Sequence, residues 1–444
     1  MLEEYRREVL PNGLRVLGVE NPALHSFVCS AYVHAGARFE SPEETGLTHF
    51  LEHMLMQGSE NFPTFNDIMR RVEDMGGVVN AHTYPEHMKV TFGVHRKHWR
   101  RVMEVASDVI LRPTFDPDEV EQEKSIIAQE ISRHRDTAGR NISVYELAYG
   151  LLLREKLDES GIRGCPDIMR TFDRQMVRRH YRRFFVPQNM VLCLAGGFDF
   201  DEVVGEMDSY FGAMSPGDDG PELSGPQVEH RRARAFYRPT EALPVVESLL
   251  CYHAYPMGDE RFDALRAIAQ MLGGGLTSRL FSRVREERGL VYEIESYLQP
   301  FSDVGALNVF LSVDRENLID AVETTLGVVR EVTTDSFDED ELERYKESAR
   351  CGMEILCDHA SRLTDWFGKQ ELFLGLDEVM TPEDYIRRQE ALELEYIQEV
   401  IGEVFTAEGA NLAVAGPFDE ETQEELRALF PAEEVECEPV REDS

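Results

Sequence analysis

The chain has 444 residues, 42% of them hydrophobic and 29% charged, an ordinary globular composition long enough for two or more hydrophobic cores. Its 46 Lys and Arg stand against 84 Asp and Glu, a formal net charge of −38, which argues against a nucleic-acid partner because such a surface repels a phosphate backbone. No stretch has the length and apolarity of a membrane span, so no membrane partner is expected. The acidity reads as solubility or adaptation to a salt-rich cell interior, with steering of basic peptides as the sharper alternative.

In chain order, the first residues, Met1-Leu-Glu-Glu-Tyr-Arg-Arg-Glu, lack both the apolar core of a secretory signal and the Arg/Ser-rich pattern of a transit peptide. They predict a cytoplasmic location. The seven cysteines, at 29, 165, 193, 251, 351, 357 and 437, include no C-x-x-C pair. Several lie in apolar runs such as Val191–Ala195, which predicts buried reduced thiols and neither a disulfide framework nor a cysteine metal site.

The strongest chemical signal is His49-Phe-Leu-Glu-His53. Ser41, Pro42 and Glu44 offer an N-cap, a first-turn proline and a capping-box acid, and Gly58 is placed to end the helix. Gly46 could delay the start by a turn. Either way the two histidines stand at i and i+4 on one face, with Glu52 close to it. Two imidazoles one turn apart can share a zinc ion, and a carboxylate beside them can take a proton from a water the metal acidifies. Thirteen histidines make a chance H-x-x-E-H uncommon, and the pattern is that of inverted zincins.

A catalytic zinc needs a third protein ligand. A helix is predicted over Asp116–His134, after a strand over Val90–Val94. Within that helix Glu123 and Glu130, seven apart, share a face, and Ile126 and Ile127 between them read as core-directed. Among 84 acids this spacing cannot by itself select a ligand. Asn80-Ala81, read alone, is a turn after Gly76-Gly77; Arg285 reads as a solvated helix face and Tyr292 as a sheet core residue.

The clearest organisation is a duplication at an offset of 220 residues. Phe185–Asp199 (FVPQNMVLCLAGGFD) matches Phe405–Asp419 (FTAEGANLAVAGPFD), each followed by an acidic helical segment, 200–211 and 420–430. The same offset carries Ala31-Tyr32 onto Cys251-Tyr252. Between the halves, Ser215–Pro226 is rich in Pro and Gly and reads as a linker. The predicted class is therefore α+β: two similar domains, each a mainly antiparallel sheet packed with helices. Their bounds are 1–214 and 236–432, with a linker over 215–235 and an acidic tail over 433–444.

These segments resemble the pitrilysin/insulysin family, in particular its mitochondrial-processing-peptidase-like bacterial branch, and the resemblance covers nearly the whole chain. It runs through Leu10–Val16, Gly46–Met54, Gly76–Thr83, Leu272–Phe281 and Val284–Tyr292. It implies a peptidase holding one Zn2+ per chain on His49, His53 and Glu130, with Glu52 as general base and Glu123 as an acid supporting the ligands. It further implies that Asn80 and Ala81 belong to an edge strand that pairs with the substrate backbone, and that Arg285 and Tyr292 act near the scissile carbonyl. The first domain would be catalytic and the second an inactive duplicate, since the offset places Ala269, Leu272 and Gly273 where His49, Glu52 and His53 stand. The implied activity is cleavage of extended or unfolded peptides inside a closed chamber formed by a homodimer. The alternatives are a catalytically weak scaffolding subunit or the partner subunit of a heterodimeric processing peptidase. The stretch Leu153–Gly164 departs from the family's His-Pro-Leu-Gly-like segment.

Overall fold

A computed structural model describes residues 5–153, 161–217, 233–375 and 379–434. Most of the expected linker and of the acidic tail, and residues 154–160 of the departing stretch, therefore lie outside the described residues. The chain forms two compact units, each with its own six-stranded sheet and helices, the α+β class expected.

In the first unit the strands are β1 (Arg6–Val9), β2 (Arg15–Glu20), β3 (Ser26–Val33), β4 (Val78–Thr83), β5 (Met88–His95) and β6 (Met190–Gly196), in the order β1-β2-β6-β3-β5-β4. Only β2 and β6 run parallel. The second unit holds β7 (Arg234–Pro239), β8 (Val246–Ala254), β9 (Glu293–Pro300), β10 (Gly305–Val313), β11 (Ala410–Gly416) and β12 (Glu433–Glu434), ordered β12-β7-β11-β8-β10-β9. From the second position onward the two orders and the sense of every pairing match, strand for strand. The duplication seen in β6 and β11 thus extends to the whole sheet.

The units are not contiguous in sequence. The first contains residues 1–131, 162–224 and 351–386, the second 132–161, 225–350 and 387–444. Helix Val144–Leu153 packs on β7, β8 and β11, and helix Ala360–Phe373 packs on β2, β3 and β6, so each half of the duplication lends one helix to the other sheet. Contiguous halves were expected; the exchange replaces them. Gly368 allows one of these approaches, since a Cβ there would come within 2.2 Å of the Tyr32 ring.

Helix Leu47–Met56 begins one turn later than its first capping signal. Ser41 caps a separate turn, Pro42–Glu44, with a complete capping box, and Gly46 at φ 89° then redirects the chain into the helix. Glu40 accepts from the Gly46 and Thr48 backbone N–H groups (2.7 and 2.6 Å), satisfying donors that the helix start leaves open. Leu47, Phe50, Leu51, Met54 and Leu55 are buried in the core of the first unit, each worth about 1.5–3 kcal/mol. The opposite face is left for polar groups. Four of the cysteines, 29, 165, 193 and 251, are buried and none of those described is bonded to another; Cys437 lies outside the described residues. Among the described residues no helix is long and apolar enough to cross a membrane.

Candidate metal centre

Two helices supply the centre. From Leu47–Met56 come His49, Glu52 and His53; from Pro117–Ser132 come Glu123 and Glu130. The second helix is anchored by Val120, Ile127 and Ile131, while Ile126, expected in the core beside Ile127, is 43% exposed. Adjacent helix positions lie about 100° apart, and here only Ile127 falls on the stripe with Val120 and Ile131 that faces the core.

His49 Nε2 lies 3.7 Å from Glu130 Oε1, and His53 Nε2 lies 3.7 Å from Glu130 Oε2. One ligand atom from each of the three residues falls within 4.8 Å of the others. Such gaps are long for hydrogen bonds, yet close to the ~3.3 Å between ligands bound tetrahedrally at about 2.0–2.1 Å from one ion. Two imidazoles and a carboxylate are a zinc-type donor set, and three protein donors leave a fourth position open. The residues fit the metal.

The supporting contacts fix which atoms face it. His53 Nδ1 is 3.0 Å from Glu123 Oε2; a carboxylate accepts, so Nδ1 carries the hydrogen and Nε2 keeps its lone pair. Glu123 is itself buried, and Gln57 Nε2 donates to its other oxygen at 2.7 Å. Burial opposes the charged form of His53, but the Glu123 hydrogen bond and the surrounding carboxylates outweigh it and raise its pKa. His49 is pushed the other way, to about 4, by burial and by the neighbouring His53, so it is neutral and able to ligate at neutral pH. For Glu130 burial favours the acid, but His49 and the Arg163 hydrogen bond prevail and its pKa is lowered.

Glu52 stands beside the three ligating groups and outside their set. Burial raises its pKa, and the Thr83 hydroxyl, donating to Oε2 at 2.5 Å, opposes the rise. Thr83 closes β4, the edge strand whose residues alternate in exposure, and shares a face with Val79 and Ala81, which pack on the core. Asn80 and Ala81 thus lie in a strand, not in a turn, with the outer side of β4 unpaired among the described residues.

Sequence reasoning passed over Thr83 and Arg163. Thr83 follows Ala81 by one strand period, a signal that was available. Arg163 Nε donates to Glu130 Oε1 at 3.0 Å, and no local pattern announces that contact. In the second unit Tyr292 is 60% exposed, not in a sheet core, and donates to Asp314 Oδ2 at 3.1 Å; Arg285 is exposed and lies over the Phe281 ring.

A duplicated α+β fold whose described residues bring a His-His-Glu group together only in the first half defines a class: two-domain proteins in which one domain carries a metal-type donor set. Two family models match, "Insulinase (Peptidase family M16)" over residues 15–148 and "Peptidase M16 inactive domain" over residues 171–349. The chain belongs to the M16 peptidase family. It is 26% identical to an uncharacterized zinc protease of Bacillus subtilis, covering 93% of this chain and 98% of that protein. It is 29% identical to one of Mycobacterium tuberculosis, covering 96% of each. Among solved structures, a Helicobacter pylori protease superposes with a TM-score of 0.84 at 17% identity, over 94% of this chain and 100% of that one. An M16-like peptidase of Alicyclobacillus acidocaldarius gives 0.78 at 23%, over 93% and 97%. These two likenesses concern the fold.

Proposed function

We infer that the protein is a zinc-dependent endopeptidase that cleaves extended or unfolded peptides within a closed chamber. The observation that carries this reading is the convergence of His49, His53 and Glu130 with Glu52 alongside. Zinc, when bound, supplies Lewis acidity toward a water and the scissile carbonyl. Glu52, its carboxylate steadied by Thr83, takes the proton of the attacking water and later passes it to the leaving amine. The open edge of β4 suits an extended substrate, whose backbone would add to the sheet beside Asn80 and Ala81 with little demand on side chains. The metal-type group and Glu52 argue against the scaffolding alternative, and the presence of Arg285 and Tyr292 argues against a heterodimer subunit whose partner supplies that pair.

Assembly belongs to the same proposal. Oxyanion donors must stand about 3 Å from the reacting oxygen, and Arg285 and Tyr292 lie in the second unit. A homodimer in which one chain's pair completes its partner's site meets this requirement. The test uses a quenched unstructured peptide, with a compact folded protein as the control that resists cleavage. Glu52→Gln and Arg285→Ala chains are each nearly inactive alone. After subunit exchange about half the dimers are mixed and hold one intact site, so activity recovers to roughly a quarter of wild type. No recovery, with exchange verified, contradicts the shared site; digestion of the folded control contradicts the chamber.

A further inference from the structure

On the face of the first sheet opposite helix Leu47–Met56, two lysines share one carboxylate. Lys369, on helix Ala360–Phe373, is partly buried, and its Nζ lies 5.2 Å over the Tyr84 ring. It forms no hydrogen bond or ion pair among the described residues. The nearby acid, Asp365, attracts Lys369 but is shared: its Oδ1 accepts from Lys89 Nζ at 2.5 Å and from the Tyr32 hydroxyl at 2.7 Å. Two histidines complete the surroundings. His87, 7% exposed, stacks on Tyr84 with ring centroids 4.4 Å apart, and its Nε2 has no partner among the described residues. His34 Nε2 is likewise unpartnered, and both histidines pack against Phe373.

Burial lowers the pKa of Lys369, and likewise those of His87 and, to about 4, His34, so the histidines stay neutral. Lys89 and Lys369 together face one carboxylate, in a chain whose net charge is −38. Two partly desolvated ammoniums against one carboxylate leave a surplus positive charge, the arrangement expected where a second anion arrives with a ligand.

The position says which ligand. Thr83 points to the helix that carries Glu52; Tyr84, the next residue, turns to the other face, where Lys369 and His87 lie. A peptide added to the edge of β4 alternates its side chains between the same two faces. We propose that Lys369, flanked by Tyr84 and His87, forms a carboxylate-binding subsite for the peptide docked on β4, taking an acidic side chain or the peptide's terminal carboxylate. This rests on the endopeptidase reading and adds to it a preference that the net charge of the chain would not suggest.

Binding of fluorescent unstructured peptides to the Glu52→Gln protein reads the subsite without turnover. One arm replaces internal glutamates by glutamine one at a time; the other compares a free with an amidated C-terminus. A charge-assisted hydrogen bond is worth about 1.5–3 kcal/mol, so one arm is expected to lose about tenfold in affinity or more. In the Glu52→Gln background, Lys369→Ala removes that difference, and Lys369→Glu reverses it in favour of lysine at the same position, with zinc content and melting temperature unchanged. Binding without discrimination in either arm, or discrimination that survives Lys369→Ala, overturns the subsite alone. Failure of every peptide to bind overturns the endopeptidase reading and the subsite with it.

Discussion

Glu52→Gln is expected to cut peptide hydrolysis by roughly 10²–10⁴-fold while the protein still binds one zinc per chain. The side chain stands one residue before His53, outside the group formed by His49, His53 and Glu130. Glutamine keeps the volume and can still accept from Thr83, so the local packing is preserved. What it loses is the ability to take a proton. Turnover and metal content, measured on one purified sample, check both halves of the expectation. Wild-type turnover removes Glu52 from the mechanism; loss of stoichiometric zinc makes it a ligand.

Glu130→Gln should weaken zinc binding by more than about 100-fold, because a neutral amide is a poor substitute for a carboxylate on the metal. Glu123 accepts from His53 Nδ1–H and would act through that contact, leaving Nε2 free for the ion. Its replacement by glutamine should cost less, about 10- to 100-fold. Competition with a chelator of known affinity ranks the two. The reverse order exchanges their roles.

The ease of reading these residues from the sequence differed for physical reasons. His49, Glu52 and His53 share one helix, and helical spacing places them without tertiary information. Glu130 comes from a second helix, so only the tertiary fold, or the family resemblance, could distinguish it from other acids. The sheets were legible where apolar runs repeat at 220 residues, as in β6 and β11. The helix exchange was not. Val144–Leu153 is apolar on most of its surface, with six of its ten residues buried, and two sheets of matching strand order compete for it. Local pattern cannot choose between two similar partners. Lys369 reads as one more surface lysine until Gly368 brings its helix against Tyr32.

The proposed chemistry rests on one zinc ion held by His49, His53 and Glu130. An anomalous difference map at the zinc absorption edge, from crystals of the zinc-loaded protein, tests it most directly. One peak per chain is expected in the first unit, about 2.0–2.2 Å from both histidine Nε2 atoms and from a Glu130 oxygen, with Glu52 outside bonding distance. A peak held by other residues, Glu52 within the coordination sphere, or a zinc-loaded protein with no peak between the two histidines would contradict it.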